Sequence, residues 1–128
     1  MMKILYIEDE PDIAELVRRW VEEDDHRFFH VKDGPAGLTL AAKERPDLIL
    51  LDINLGGFSI DGWEVNRLLK ADPATQGIPV IALTAHAQRV EHRERALREG
   101  FVEHISKPFD YDLLMDQVNA HAQGRDTA

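Results

Sequence analysis

The chain has 128 residues, of which 44% are hydrophobic and 30% charged, and its 24 acidic and 15 basic residues give a formal net charge of −9. This length predicts a single domain that buries about two-thirds of the surface of its unfolded chain. The acidic balance disfavours surfaces for nucleic acid phosphates or anionic lipid, so we expect neither direct nucleic acid binding nor a membrane partner. The absence of cysteine excludes disulfides, thiolate metal sites and cysteine nucleophiles.

The cellular location is predicted from what the sequence lacks. No apolar run approaches the roughly 20 residues that span a bilayer. Met1-Met2-Lys3 leads directly into an apolar strand followed by acidic residues, which is unlike a signal peptide. We therefore expect a cytoplasmic protein.

Short apolar runs alternate with longer amphipathic segments along the whole chain, which is typical of βαβ units around a parallel sheet. The predicted strands are Lys3–Ile7, Arg27–Val31, Asp47–Leu51, Ile78–Leu83 and Val102–Ile105. The third and fourth runs are continuously apolar, as expected of central strands that helices cover on both faces. The predicted fold class is α/β, a doubly wound sandwich of five strands and five helices.

The first predicted helix has the clearest signals, with Pro11 in its first turn and an apolar stripe at one-face spacing. The stripe consists of Ile13, Leu16, Val17, Trp20 and Val21. The other helices are predicted from Gly34 to just before Pro46, from Asp61 to Ala71, from Ala87 to Glu99 with Gly100 as a left-handed cap, and from Asp110 to Ala122. Residues 1–122 are therefore assigned to one domain and 123–128 to a flexible C-terminal tail.

Polar side chains follow four of the predicted strands, where doubly wound sheets bind their ligands. Glu8 and Asp9 follow the first strand, Asp52 the third, Thr84 the fourth and Lys107 the fifth. Each residue alone is explained by helix capping, backbone hydrogen bonding or solvent exposure. Together they bring three carboxylates, a hydroxyl and an ammonium into one crevice.

This set of groups favours metal-assisted phosphoryl chemistry. Crowded carboxylates repel one another unless a proton or cation neutralises them, and an oxygen-rich cluster suits Mg²⁺, with Mn²⁺ as a substitute. A carboxylate is also a competent nucleophile toward phosphorus. Charge that spreads over the phosphoryl oxygens needs cations and a donor around it, which Asp9 with Mg²⁺, Lys107 and Thr84 are suited to supply.

Five motifs in this order and spacing resemble the receiver domains of two-component response regulators, the CheY-like superfamily. They are Glu8-Asp9 after the first strand, Asp52 in Leu-Leu-Asp-Ile-Asn-Leu, Asp61-Gly62, Val80-Ile81-Ala82-Leu83-Thr84-Ala85, and Lys107-Pro108-Phe109. The resemblance extends from residue 4 to about residue 120. It implies a flavodoxin-like fold of strand order 2-1-3-4-5, in which Asp52 accepts a phosphoryl group from a phosphohistidine.

The resemblance also implies a metal site and a set of positions that tune dephosphorylation. Glu8 and Asp9 would hold Mg²⁺ directly or through water, Asp52 would share the metal, and Asn54 would lend its backbone carbonyl. His86 and Asn54 lie at positions that help to set how fast water removes the phosphate.

The same resemblance assigns a switch. Lys107 would pair with the phosphoryl oxygens, Thr84 would move toward the phosphate, and the Lys107–Pro108 peptide bond would be cis, which proline makes accessible. His104 stands where the family commonly has an aromatic residue that swings inward with the threonine. Its imidazole would either mimic that motion and make it depend on pH, or be a half-exposed histidine at a strand end.

One segment departs from the family pattern. The loop from Gly56 to Ile60 is longer than usual, and its role is left open. Phe58 within it is either a lid over the site, a contact for a partner, or a residue that packs back on the third helix.

These expectations describe a phosphoacceptor switch and not an enzyme, apart from self-phosphorylation by phosphodonors and slow self-dephosphorylation. Its partners would be a cognate histidine kinase or histidine phosphotransfer protein and a downstream protein target, which binds the surface around helix 4, strand 5 and helix 5. Because no DNA-binding domain follows residue 122, a stand-alone receiver is expected. The alternatives are a phosphorelay intermediate, a receiver excised from a hybrid histidine kinase, and an aspartyl-phosphate phosphatase of the haloacid dehalogenase type, although that class places a second aspartate where this chain has Asn54.

Overall fold

The computed structural model describes residues 1–55, 60–84 and 90–126. The strands are β1 (Lys3–Ile7), β2 (Arg27–Val31), β3 (Leu48–Asp52), β4 (Val80–Thr84) and β5 (Glu103–Ser106). The helices are α1 (Pro11–Glu23), α2 (Gly34–Glu44), α3 (Gly62–Ala71), α4 (Val90–Arg98) and α5 (Tyr111–Asp126). The strands pair in parallel in the order β2-β1-β3-β4-β5, which confirms the predicted flavodoxin-like α/β fold.

The central strands end further along the chain than predicted. β3 and β4 are buried throughout, as their apolar runs indicated. Asp52 pairs with Leu83 and Thr84 pairs with Ser106, so the ladder includes the polar residue at the end of each strand. β4 begins at Val80 and not at Ile78, because Pro79 has no N–H to donate to the ladder.

The sheet separates two apolar cores. One lies between the sheet and helices α1 and α5, and it includes Tyr6, Leu50 and Leu114. The other faces α2, α3 and α4, and it includes Leu51 and Val65. Both cores bury side chains next to the carboxyl ends of β1 and β3, so the polar residues that follow these strands start from rigid backbone.

Helix α1 is rotated slightly from the predicted stripe. Its buried residues are Ala14, Val17 and Val21, whereas Leu16 is 44% exposed. The prediction that Leu16 faces the core is therefore wrong. The small Ala14 belongs to the core instead of Leu16.

Local backbone requirements define the helix ends. The Asp61 carboxylate accepts a hydrogen bond from the N–H of Glu64 at 3.0 Å and caps α3. A Cβ atom on Gly62 would lie 2.5 Å from the Cα of Ile53, so only glycine allows α3 to begin so close to the end of β3. Gly100 follows α4 with φ of +96°, the left-handed cap that the sequence predicted.

Two predicted helix boundaries differ from the structure or lie beyond it. Helix α5 continues to Asp126, past the predicted boundary at Ala122. The predicted start of the fourth helix at Ala87 lies outside the described residues, in which α4 begins at Val90. Within the described ranges, no helix is long and apolar enough to cross a membrane.

Aromatic contacts fasten the segment after β5 to α1. The Lys107–Pro108 peptide bond is cis. The Trp20 ring packs edge-on against Phe109 and Tyr111, with ring centroids 6.2 and 5.9 Å apart. The Tyr111 hydroxyl donates a hydrogen bond of 2.6 Å to Asp24. These contacts hold the backbone on the C-terminal side of Lys107 in place.

Truncation of one side chain of the central strand β3 tests the packing of the core that faces α1 and α5. We expect Leu50→Ala to lower the free energy of unfolding by about 2–5 kcal/mol, because Leu50 is fully buried and its loss leaves a cavity. Urea denaturation measures the change. Leu68→Ala is the matched control, since Leu68 is 40% exposed and its loss should cost less than about 1 kcal/mol. Equal losses for the two variants would contradict the assignment of Leu50 to the core.

Candidate functional site

Three carboxylates meet at the carboxyl edge of the sheet. Glu8 and Asp9 follow β1, and Asp52 ends β3, its neighbour in the sheet. One oxygen of each carboxylate lies within 4.8 Å of the other two. Glu8 and Asp52 are buried, whereas Asp9 is exposed. The strand order reverses between β1 and β3, which is where doubly wound folds bind ligands.

The Lys107 ammonium lies between the two buried carboxylates. Its Nζ donates to Glu8 Oε1 at 3.0 Å and lies 3.2 Å from Asp52 Oδ2. Burial lowers the pKa of Lys107, but the hydrogen bond to Glu8 and the charges of Asp52 and Glu8 outweigh that effect and raise it. The ammonium therefore keeps its proton and provides one positive charge for two buried acids.

Glu8 has a strongly raised pKa, because the single charge of Lys107 does not offset its burial beside Asp52. Burial first, and then the neighbouring Asp52 carboxylate, raise the pKa of Glu8 to about 8, although Lys107 acts in the opposite direction. Glu8 Oε2 is buried and has no hydrogen-bond partner among the described residues. This orphaned oxygen, within a set of oxygen ligands, fits a hard divalent cation such as Mg²⁺.

Asn54 joins the acidic cluster to Thr84. Its backbone N–H donates to Asp52 Oδ1 at 3.0 Å, and its side-chain Nδ2 donates to Thr84 Oγ1 at 3.1 Å. Thr84 is buried at the end of β4. Sequence reasoning considered only the carbonyl of Asn54 and its effect on phosphate removal, and it missed both of these hydrogen bonds, for which the sequence carries no signal beyond the position of Asn54 two residues after Asp52.

His104 is buried in β5, so the alternative of a half-exposed histidine is wrong. It is 6% exposed, and neither ring nitrogen has a hydrogen-bond partner among the described residues. Burial lowers the pKa of His104, and the charges of His92 and Arg93 lower it further, while Glu103 opposes them. Burial and these positive charges therefore favour the neutral form of the ring.

A small cavity adjoins both Thr84 and His104. Its volume is about 70 Å³, and it is lined by Ile53, Asn54, Trp63, Thr84, His92, Arg95 and His104. The Arg95 guanidinium covers the Trp63 ring at 3.9 Å. Sequence reasoning missed Trp63 and Arg95, since they lie on separate helices and nothing in their spacing predicts the contact.

Two of the sequence predictions lie outside the described residues. His86 falls in 85–89, and Phe58 falls in 56–59. The possible roles of these residues, and that of the loop from Gly56 to Ile60 as a whole, stay predictions.

Comparison with known proteins shows which family has a similar sequence around this site. Residues 4–119 match the model of the family described as the response regulator receiver domain. The matched segment contains every residue of the acidic cluster, as well as Asn54, Thr84, His104 and Lys107.

Two curated relatives illustrate the range of proteins that contain a similar sequence. PilH of Pseudomonas aeruginosa is 31% identical over 124 residues, which cover 97% of this chain and 100% of PilH. The transcriptional regulatory protein HprR of Escherichia coli K12 is 40% identical over 119 residues, which cover 93% of this chain and 51% of HprR. The chain thus spans all of one relative and about half of the other.

A solved structure contains the expected ion. The receiver domain of the sensor histidine kinase PA1611 from Pseudomonas aeruginosa PAO1, crystallised with a magnesium ion coordinated in its active site cleft, superposes with a TM-score of 0.84. The two sequences are 29% identical, and the alignment covers 95% of this chain and 98% of that one.

The raised pKa of Glu8 predicts how stability depends on pH without divalent cations. Between pH 4.5 and about 8, the folded protein keeps the Glu8 proton and the unfolded chain releases it. The free energy of unfolding should therefore fall as pH rises through this window. We expect this fall to be smaller in Glu8→Gln, which carries no titrating carboxyl, when both proteins are unfolded by urea in the presence of a chelator.

Glu10→Gln is the control for this experiment, because Glu10 is exposed and its replacement removes the same charge from the surface. Its pH profile should match that of the wild type. Parallel profiles for the wild type and Glu8→Gln would show that Glu8 titrates normally and would contradict the prediction.

Proposed function

The chain belongs to the response regulator receiver domain family of two-component signalling, whose members are signalling phosphoacceptors and not catalytic enzymes, and we propose that its phosphoacceptor is Asp52. This membership removes the haloacid dehalogenase alternative. The observation that carries the proposal is the position of the buried Asp52 carboxylate, 3.2 Å from the Lys107 ammonium and clustered with Glu8 and Asp9.

Both oxygens of Asp52 are oriented before any phosphodonor arrives. The Asn54 N–H fixes Oδ1, and the Lys107 ammonium lies beside Oδ2. In the transfer from a phosphohistidine, a carboxylate oxygen forms a bond to phosphorus while the P–N bond breaks, and the imidazole nitrogen leaves with the electron pair of that bond. Lys107 then pairs with the phosphoryl oxygens, where the transferred charge accumulates.

We propose that Glu8, Asp9 and Asp52 hold Mg²⁺, or Mn²⁺ in its place, together with the backbone carbonyl of Asn54. The orphaned Oε2 of Glu8 and the oxygen-only ligand set support this assignment, as does the magnesium ion in the related PA1611 receiver. When bound there, the cation would supply positive charge for the phosphoryl oxygens. Three carboxylates with a single lysine would otherwise repel an incoming phosphoryl group.

The hydrogen bond between Asn54 and Thr84 provides the start of a switch. In this structure the Thr84 hydroxyl oxygen accepts a hydrogen bond from the Asn54 amide. A phosphoryl group on Asp52 adds charged acceptor oxygens, to which the Thr84 hydroxyl can donate a strong, charge-assisted hydrogen bond. We propose that Thr84 turns toward them and that the change passes through the adjoining cavity to α4, β5 and α5. This surface would then bind a protein target.

Receiver domains are phosphorylated by histidine kinases, and we propose that the donor here is a cognate histidine kinase or histidine phosphotransfer protein. The relatives favour no single assembly, because the matched region makes up all of PilH, half of HprR and a receiver within the PA1611 kinase. A stand-alone receiver, a relay intermediate and a segment of a hybrid kinase are therefore all compatible with the proposal. A cytoplasmic location stays part of it, supported by membership of the receiver family.

Chemical phosphorylation tests the role of Asp52. Incubation with acetyl phosphate and Mg²⁺ should add one acid-stable, base-labile phosphoryl group, seen by intact-mass spectrometry, and Asp52→Asn should abolish the addition because an amide cannot form the acyl phosphate. Asp61→Asn is the matched control, since asparagine also caps a helix and Asp61 is exposed. If Asp52→Asn is still modified, the assignment of Asp52 is wrong.

Magnesium titration tests the role of Asp9. We expect Asp9→Ala to weaken Mg²⁺ binding by roughly tenfold or more, measured from the change in tryptophan fluorescence, since Trp63 lines the cavity beside the site. Asp12→Ala removes a nearby exposed carboxylate on α1 and should leave the titration nearly unchanged. Equal titrations for the two variants would count against Asp9 as a ligand.

A further inference from the structure

The position of His104 beside Thr84 suggests a further property of the switch. His104 pairs with Ala82 in the ladder between β4 and β5, two residues before the pair of Thr84 and Ser106. Its ring and the Thr84 hydroxyl line the same cavity of about 70 Å³. A displacement of Thr84 therefore changes the space available to the His104 ring.

Packing, and not hydrogen bonding, keeps the ring in this place. Within the described part of the chain, neither Nδ1 nor Nε2 of His104 has a partner, which is rare for buried polar atoms. Exposure to solvent would provide partners for both nitrogens. Among the described residues, no hydrogen bond of the ring would have to break for it to leave the cavity.

The surroundings of His104 disfavour a positive charge. Helix α4 contributes His92 and Arg93, whose charges act on the ring, and Arg95 in the wall of the cavity. The nearby acid is Glu103. Its Oε1 already accepts a hydrogen bond from the backbone N–H of His104 at 2.9 Å and lies 3.4 Å from the Arg93 guanidinium.

Within residues 1–55, 60–84 and 90–126, the other elements around His104 contribute uncharged groups to its surroundings. These are Ala82 on β4, Asn54 after β3, Trp63 on α3, and Leu113 and Gln117 on α5. Among the described residues, an imidazolium in the cavity would therefore face positive neighbours and one acid, Glu103, which already pairs with Arg93.

We propose that His104 makes the phosphorylation switch sensitive to pH, because its neutral ring occupies the cavity beside Thr84 and its protonated ring moves out to solvent. This inference rests on the proposed function of Asp52 and Thr84. When Thr84 turns toward the phosphoryl group, the neutral ring fills the space behind it. The protonated ring cannot do so, and acid should therefore oppose the phosphorylated conformation.

The direction of the effect follows from proton linkage. An exposed histidine has a pKa near 6.5, whereas burial and the cationic neighbours lower the pKa of His104 in the cavity. Above pH 6.5 both orientations are neutral and the buried one is favoured. Each pH unit below about 6.5 shifts the equilibrium toward the exposed orientation by up to roughly tenfold, until the lower pKa of the buried ring is reached. By reciprocity, a phosphoryl group on Asp52 should lower the pKa of His104 further.

Beryllium trifluoride, which mimics a phosphoryl group on a carboxylate, provides the test. Its affinity for the protein with saturating Mg²⁺ is measured between pH 5 and 8 for the wild type and for His104→Phe, which keeps a flat ring without a titrating group. We expect the affinity of the wild type divided by that of His104→Phe to be constant above pH 7. This ratio should fall severalfold by pH 5.5, because only the wild type has a ring that protonates. His121→Gln, which removes a histidine from α5, should behave as the wild type.

A second readout follows the ring directly. The NMR titration of the His104 ring should give a pKa below 6.5 in the free protein and a lower value with beryllium trifluoride bound. Parallel affinity profiles for the wild type and His104→Phe, or an ordinary pKa for His104 in both states, would overturn the inference while leaving Asp52 as the phosphoacceptor. If no variant binds beryllium trifluoride at any pH, the proposed function fails and the inference fails with it.

Discussion

The ammonium group of Lys107, held between the carboxylates of Glu8 and Asp52, is the contact on which the site depends. β5 is separated from β3 by β4, so Lys107 must reach across the end of a neighbouring strand about 5 Å wide. A long unbranched side chain can do this. Because one ammonium cannot neutralise three acids, the site retains a proton on Glu8 or recruits a cation. The same imbalance means that the acidic site repels an incoming phosphoryl group unless a cation offsets its negative charge.

The path from this site to the surface is a short series of contacts. Asp52 accepts from the backbone of Asn54, whose side chain donates to Thr84. Thr84 and His104 line a cavity whose far wall includes Arg95 of α4. Arg95 also stacks on Trp63 and pairs with Glu99 at 2.8 Å, and Glu99 accepts from Arg67 of α3 at 3.1 Å. A local change at Asp52 can therefore bias the packing of α4 against α3, which is how phosphorylation usually acts on a bistable element.

The sequence by itself determined the fold class and the members of the acidic cluster. Continuous apolar runs such as Leu48–Leu51 can only be central parallel strands when helical segments alternate with them, and parallel strands bring their carboxyl ends to one edge. The order of the strands along the sequence is therefore enough to bring Glu8, Asp9, Asp52 and Lys107 to the same edge of the sheet. Sequence also placed the ends of most helices, because Pro11 and Gly100 act through local backbone geometry that distant residues do not alter.

Only the tertiary structure decided the protonation of Glu8, the contacts of Asn54 and the burial of His104. The pKa of Glu8 depends on desolvation and on Asp52, 44 residues away in the chain, and no local pattern encodes either. Leu16 shows the same limit in packing, since helical periodicity allows several rotations of α1 and only the packed structure shows which residues are buried. Spacing along the chain thus specifies which residues reach the site, whereas charge state and orientation are set by the neighbours that folding brings around them.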